Sequence, residues 1–189
     1  KFLSNEEFHK ILKNGLNETA EKELFIFIHG YNTGFTAAAK RTAQLFYDIE
    51  YDGIPMFYSW PSNGKLVNYS NDGLQIEYSF KLFSKFVTDV VSKNLDKKVN
   101  IIAHSMGNRL LVKALSQLPL NNPSIKFGKI IMAAPDVDVQ EFKINHLESL
   151  STLSEKVTLY SSSQDLALLA SKQVNSTPRL GMAGKHLFV

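Results

Sequence analysis

The sequence of 189 residues contains no cysteine, which excludes a disulfide framework, a thiolate nucleophile and any Cys-ligated zinc or iron–sulfur centre. Long hydrophobic runs are also missing. The longest fully apolar strings, such as Leu24 to Ile28, fall far short of the ~20 residues that span a bilayer, so no transmembrane segment is expected. Charge of one sign is scarce: 21 Lys and Arg against 18 Asp and Glu leave +3. These charges are spread without a dense basic run, and nucleic acid is not an expected partner. Glycine-rich phosphate cradles are absent as well. No G-x-G-x-x-G follows a strand pattern and no G-x-x-x-x-G-K-[ST] occurs, which argues against a dinucleotide or P-loop enzyme. The five histidines are scattered, with no H-E-x-x-H or similar pair, so a metal site is not expected.

What is present has the composition of one folded domain: 44% hydrophobic and 21% charged residues, with ten Gly and six Pro. Short β-rich apolar runs alternate with longer helical patterns, which predicts an α/β fold, doubly wound, with a mostly parallel sheet flanked by helices. A first helix starts at Ser4, whose spacing to Glu7 is that of a capping box, and is expected to end near Gly15. Strands are expected over Glu23 to His29, around Met56 to Trp60, and over Lys98 to His104, Lys126 to Ala134 and Val157 to Ser162. Between them read helices over Thr36 to Ile49, Asn71 to Leu95, Gly107 to Leu118 and Asp165 to Lys172, and a polar helical insertion from Asp138 to Ser154. In the long helix Ile76, Phe80, Phe83, Val87 and Val90 form one apolar stripe, a core face. Strands as continuously apolar as Phe25-Ile26-Phe27-Ile28 are covered on both faces, and in such sheets ligands sit outside the carboxyl ends of the strands.

The third strand ends in Ala103-His104-Ser105-Met106-Gly107, directly before a helix. This resembles a nucleophile elbow, a sharp strand-to-helix turn that holds a serine in strained backbone geometry and needs small residues two before and two after it. Gly107 fits, and Ala103 stands where Gly is more usual. The alternative role for Ser105 is a helix cap. The first strand ends in His29-Gly30-Tyr31-Asn32, similar to the oxyanion-hole turn of α/β-hydrolases, in which the Tyr31 and Met106 N–H groups would aim at one developing oxyanion. His29 and His104 read as structural neighbours of these turns.

The acid of such a set follows a later strand. Asp165, after the fifth strand, is the candidate; its alternative role is to cap the following helix. Asp136 and Asp138 are rivals that read better as a loop tie and a helix cap. His146 precedes Asp165, and His186 follows it but sits before a final apolar run, whereas the base is expected after that run, beyond Val189. Tyr69 and Tyr78 carry no assigned role.

Taken in order, Phe27-Ile28-His29-Gly30-Tyr31-Asn32, Tyr58-Ser59-Trp60-Pro61-Ser62, Ala103 to Leu111, Ala133-Ala134-Pro135-Asp136-Val137-Asp138, Thr158-Leu159-Tyr160-Ser161 with Asp165, and Arg179-Leu180-Gly181 resemble a bacterial α/β-hydrolase family catalogued as a domain of unknown function. The resemblance covers about residues 4 to 184. It implies an α/β-hydrolase core with Ser105 as nucleophile, Asp165 as acid and Ala103 as the family's own elbow variant. It also implies a histidine after one further strand. The expectation for residues 1–189 is thus a single domain that stops short of its last strand and catalytic histidine.

The expected activity is cleavage of a carboxylic ester of a small or lipid-like molecule, through an acyl-enzyme on Ser105, with a small-molecule ester as the partner; this chemistry requires no cofactor. Two alternatives stay open: a non-catalytic hydrolase-fold binding module, and an acyltransferase that shares the acyl-enzyme.

Overall fold

The computed structural model describes residues 2–62, 69–94, 96–120 and 125–184. Five strands, β1 (Glu23–Ile28), β2 (Ile54–Tyr58), β3 (Lys98–His104), β4 (Phe127–Ala133) and β5 (Ser154–Tyr160), form one sheet in the order β2-β1-β3-β4-β5. Every neighbouring pair is parallel. The helices are α1 (Asn5–Glu18), α2 (Phe35–Asp48), α3 (Tyr69–Ser92), α4 (Gly107–Leu115), α5 (Val139–Glu141), α6 (Leu147–Leu153) and α7 (Leu166–Asn175), with a π-helical turn at Phe142–His146.

Helices cover both faces, as the unbroken apolar strands require. On one face Ile26, Ile28, Ile101 and Ile130 meet Phe83 and Val87 of α3 and Leu110 of α4 in the main core. On the other, Phe25, Phe27 and Ile102 pack beneath Phe46 of α2. Each such side chain contributes roughly 1.5–3 kcal/mol on burial, so the strand assignments follow from this two-sided demand.

Local chemistry explains where the elements start and stop. Ser4 caps α1: its hydroxyl accepts from Glu7 N and its own N–H donates to the Glu7 carboxylate at 2.8 Å, the reciprocal capping box. The helix does not stop at Gly15 but runs on to Glu18. Gly15 permits a close approach instead, because a Cβ there would stand 2.9 Å from Ile54 Cδ1. β2 begins earlier than expected and contains Pro55, which an edge strand tolerates, since among the described residues β2 pairs with β1 alone. α4 ends at Leu115, short of Leu118. The insertion winds straight into β5: Ser154 Oγ donates to Leu150 O at 2.6 Å as the chain turns extended, so β5 starts before Val157, and it ends at Tyr160.

The chain builds β2 on one side of β1 and then crosses to β3 on the other side. The strand order therefore reverses between β1 and β3, the point at which doubly wound sheets place their ligands, beyond the carboxyl ends of the strands.

Candidate functional site

Ser105 lies at this switch point, between the end of β3 and the start of α4, with a φ of 50°. A left-handed conformation costs a non-glycine residue on the order of 1–3 kcal/mol and persists only where its surroundings over-determine it. Here they do. Ser105 N donates to Ala133 O at 3.0 Å, while Ser105 O accepts from Asn108 N at 3.1 Å and Asp136 N at 3.2 Å. The buried Asn108 amide adds bonds to Ser105 O and Ala103 O, both 3.1 Å, and to Ala133 O at 3.3 Å. Two further left-handed residues, Asn32 (φ 55°) and Ala134 (φ 44°), follow β1 and β4, so strained backbone gathers at three adjacent strand ends.

Glycines bring the turns together. A Cβ at Gly107 would stand 2.5 Å from His29 O and 2.9 Å from Ile28 O, which lets the first turn of α4 press on the end of β1. A Cβ at Gly30 would stand 2.9 Å from both Ser105 Cβ and His104 Nδ1. The loop after β1 thus touches the serine directly, and Tyr31 follows at once in the chain. Met106, fully buried, occupies the N-cap position of α4.

His29 holds that loop from below. It is fully buried, stacks on Trp60 at 5.1 Å, and faces Gly30 O through Nδ1 at 2.9 Å and Ser59 Oγ through Nε2 at 3.3 Å. Trp60 Nε1 in turn donates to His29 O at 2.8 Å. Burial pushes the His29 pKa below its ordinary value, which favours a neutral ring in a structural position.

Asp165 sits beyond β5 and caps α7, accepting from Leu168 N at 3.1 Å. Its charge also reaches His104, the residue before Ser105: burial and then Arg41 lower the His104 pKa, and Asp165 acts against them. Of the rivals, Asp138 caps α5 by accepting from Glu141 N at 2.8 Å. Asp136 is almost fully buried and accepts from Ser171 Oγ at 2.5 Å, Tyr69 OH at 2.7 Å and Arg109 Nη2 at 2.9 Å.

The histidines separate cleanly. His146 faces Ser116 Oγ at 2.7 Å, just past the C-terminal end of α4, and α4 puts roughly 14 Å of helix between that end and the Ser105 turn. His9 pairs with Asp89 at 2.5 Å, joining α1 to α3. His186 lies outside the described residues.

Two groups of side chains were not legible as site residues. Asn108 pins the Ser105 turn, and Tyr69 joins the loop after β1 to Asp136, with its ring edge-on to Tyr31 at 5.4 Å. The signal for the first was the run Met106-Gly107-Asn108-Arg109; for Tyr69 there was none, since a tyrosine at a helix start has no period of its own. Among the described residues no group of three or more His, Asp or Glu could hold a metal ion, and no helix is long and apolar enough to cross a membrane.

The family model for an alpha/beta hydrolase of unknown function (DUF900) matches residues 4–185. The chain belongs to this family. As an α/β-hydrolase by family it agrees with the resemblance carried by its motifs and with its parallel sheet. An uncharacterized protein of Nostoc sp. (strain PCC 7120) is 29% identical over 136 residues, 59% of this chain and 34% of that protein. The α/β-hydrolase chain therefore spans about a third of that relative's length. Among solved structures, phospholipase PlaB from Legionella pneumophila in complex with thio-NAD aligns with a TM-score of 0.36 at 18% identity, over 82% of this chain and 34% of that one.

Proposed function

We propose that this α/β-hydrolase is a serine hydrolase that cleaves a carboxylic ester of a small molecule through an acyl-enzyme on Ser105. The observation that carries the reading is the φ of 50° at Ser105, in the turn between β3 and α4 and against Gly30. A hydroxyl in such a turn stands at the carboxyl edge of the sheet with the N-terminus of α4 behind it, where negative charge is favoured.

In the proposed reaction Ser105 Oγ attacks the ester carbonyl carbon while an imidazole takes the hydroxyl proton. The N–H groups of Tyr31 and Met106 hold the oxyanion. Collapse breaks the bond to the leaving oxygen, which receives the proton back from the imidazolium. Water then attacks the acyl-enzyme by the same steps in reverse roles, releasing the acid and restoring Ser105. Asp165 orients the imidazole and stabilises its charged form. The imidazole is read as lying outside the described residues, because His9, His29 and His146 are each engaged elsewhere and His104, next to Ser105 in the chain, stands against Gly30 as a structural neighbour of the turn.

The test is turnover of a p-nitrophenyl ester by the whole protein. Ser105→Ala is expected to lower kcat by about 10⁴-fold or more with the fold intact; a variant that retained turnover would overturn the assignment. A second reading, a ligand-binding module on the same fold, is favoured by the use of Asp165 as a helix cap. It predicts no turnover by the unmodified protein and ligand binding that survives Ser105→Ala.

A further inference from the structure

A cavity of about 160 Å³ opens between α3, α4, α5 and the segment after α7. Arg109, Lys113 and Arg179 line it, together with Glu77, Asp138 and Glu141. Arg179 is the unusual member. Its side chain is 5% exposed, its Nε lies 3.4 Å from Asp136 Oδ1, and that Nε has no hydrogen bond among the described residues.

The same Asp136 carboxylate already serves Arg109, whose Nη2 donates to Oδ2 at 2.9 Å and whose Nε donates to Asp136 O at 2.7 Å. It also accepts from Tyr69 and Ser171. Two guanidiniums therefore share one carboxylate, and Arg179 has the poorer share. Burial and the neighbouring Arg109 charge both press the Arg179 pKa downward, against the pull of Asp136.

The other carboxylates on the wall are engaged elsewhere. Glu77 accepts from Lys113 Nζ at 2.6 Å, Glu141 faces His146 at 3.5 Å and Lys113 at 3.8 Å, and Asp138 caps α5. None of them accepts from Arg179 Nε among the described residues, although the Asp138 charge favours the Arg179 cation.

We propose that this cavity binds a small oxyanion, a phosphate or carboxylate group, held by Arg179 with Arg109 beside it and Lys113 at the rim. The guanidinium fork matches two oxygens of such a group at once, and a buried donor without an acceptor is costly enough to favour any ligand that supplies one. The volume exceeds by several fold the ~30 Å³ share of one water, so a phosphate-sized group has room. The inference does not rest on the serine chemistry and is read without an ester substrate.

The test is thermal unfolding of the whole protein in about 10 mM phosphate, in acetate, and in sodium chloride at matched ionic strength. Phosphate is expected to raise Tm by about 3 °C or more over chloride, and the rise is expected to vanish in Arg179→Lys, which keeps the charge but loses the fork. A rise with phosphate alone, or with phosphate and acetate together, supports the site and tells which oxyanion it prefers. An equal response to chloride, or a phosphate response undiminished in Arg179→Lys, overturns it. Should Arg179→Lys not fold, wild-type crystals soaked in selenate decide by the anomalous signal: a peak within hydrogen-bonding reach of Arg179 supports the site, and its absence from this cavity overturns it.

Discussion

Gly30 and Ser105 pack so closely that a methyl carbon on the glycine would stand 2.9 Å from the serine Cβ. Real Cβ atoms do not come that near, and the same methyl would meet the His104 backbone oxygen at 3.0 Å, which cannot swing aside. Gly30→Ala must therefore move the loop after β1 away from the serine. We expect a stability loss of about 1–3 kcal/mol and a fall in ester turnover of roughly 10²-fold. Urea unfolding read beside kcat/KM checks both, and wild-type kcat/KM in the variant would show that the contact has no part in the reaction.

Asn108→Ala should destabilise the protein by about 3 kcal/mol. The amide supplies hydrogen bonds to the carbonyls of Ala103, Ser105 and Ala133, and truncation leaves these groups buried with fewer donors and the left-handed turn less constrained. Chemical denaturation gives the value directly. A loss under about 0.5 kcal/mol, ordinary for a surface site, would mean that Asn108 does not hold the turn.

Asp136 and Asp165 should part company under the same change. Asp136→Asn leaves the buried Arg179 and the partly buried Arg109 without their shared charge and is expected to cost about 3 kcal/mol or more in stability. Asp165→Asn keeps a capping oxygen for Leu168 N and should cost little stability, while kcat falls by about 10³–10⁴-fold. Denaturation midpoints and kcat, measured for both variants, separate a structural carboxylate from a reacting one. Equal catalytic losses in the two variants at equal folded fraction would remove Asp165 from the mechanism.

Acid should weaken the fold through its buried histidines. Burial places the pKa values of His29 and His104 below the 6.5 they have in the unfolded chain. Below pH 6.5 the unfolded state therefore binds more protons, and stability present above that pH is lost as pH falls toward the folded-state values. The slope reaches at most about 1.4 kcal/mol per pH unit for each histidine. Tm measured from pH 8 to pH 5 should fall below pH 6.5, less steeply in His29→Gln; a flat profile in the wild type would contradict the burial argument.

Much of this was legible because it is local. β3 occupies Lys98–His104 as its apolar run and following turn require, the Ser4–Glu7 box is formed, and Ile76, Phe83, Val87 and Val90 are the buried stripe of α3. Gly15 misled because a glycine in a helix reads as a stop, whereas here it answers to Ile54 across space. Asp136 was legible as a loop tie, but the network of Tyr69, Arg109, Ser171 and Arg179 gathered on it was not, for a related reason. Each is a polar residue whose default position is the surface, and their burial follows only when α3, α4, the loop after β4 and α7 meet. Asp165 reads from the sequence as an acid or as a helix cap, and its contact with Leu168 N is that of a cap.

The most direct measurement is mass-spectrometric mapping of the residue modified by a fluorophosphonate probe in the whole protein. The account predicts one modified peptide, carrying the adduct on Ser105, and no adduct in a folded Ser105→Ala variant. Modification at a different residue, or none in the unmodified protein, would contradict it.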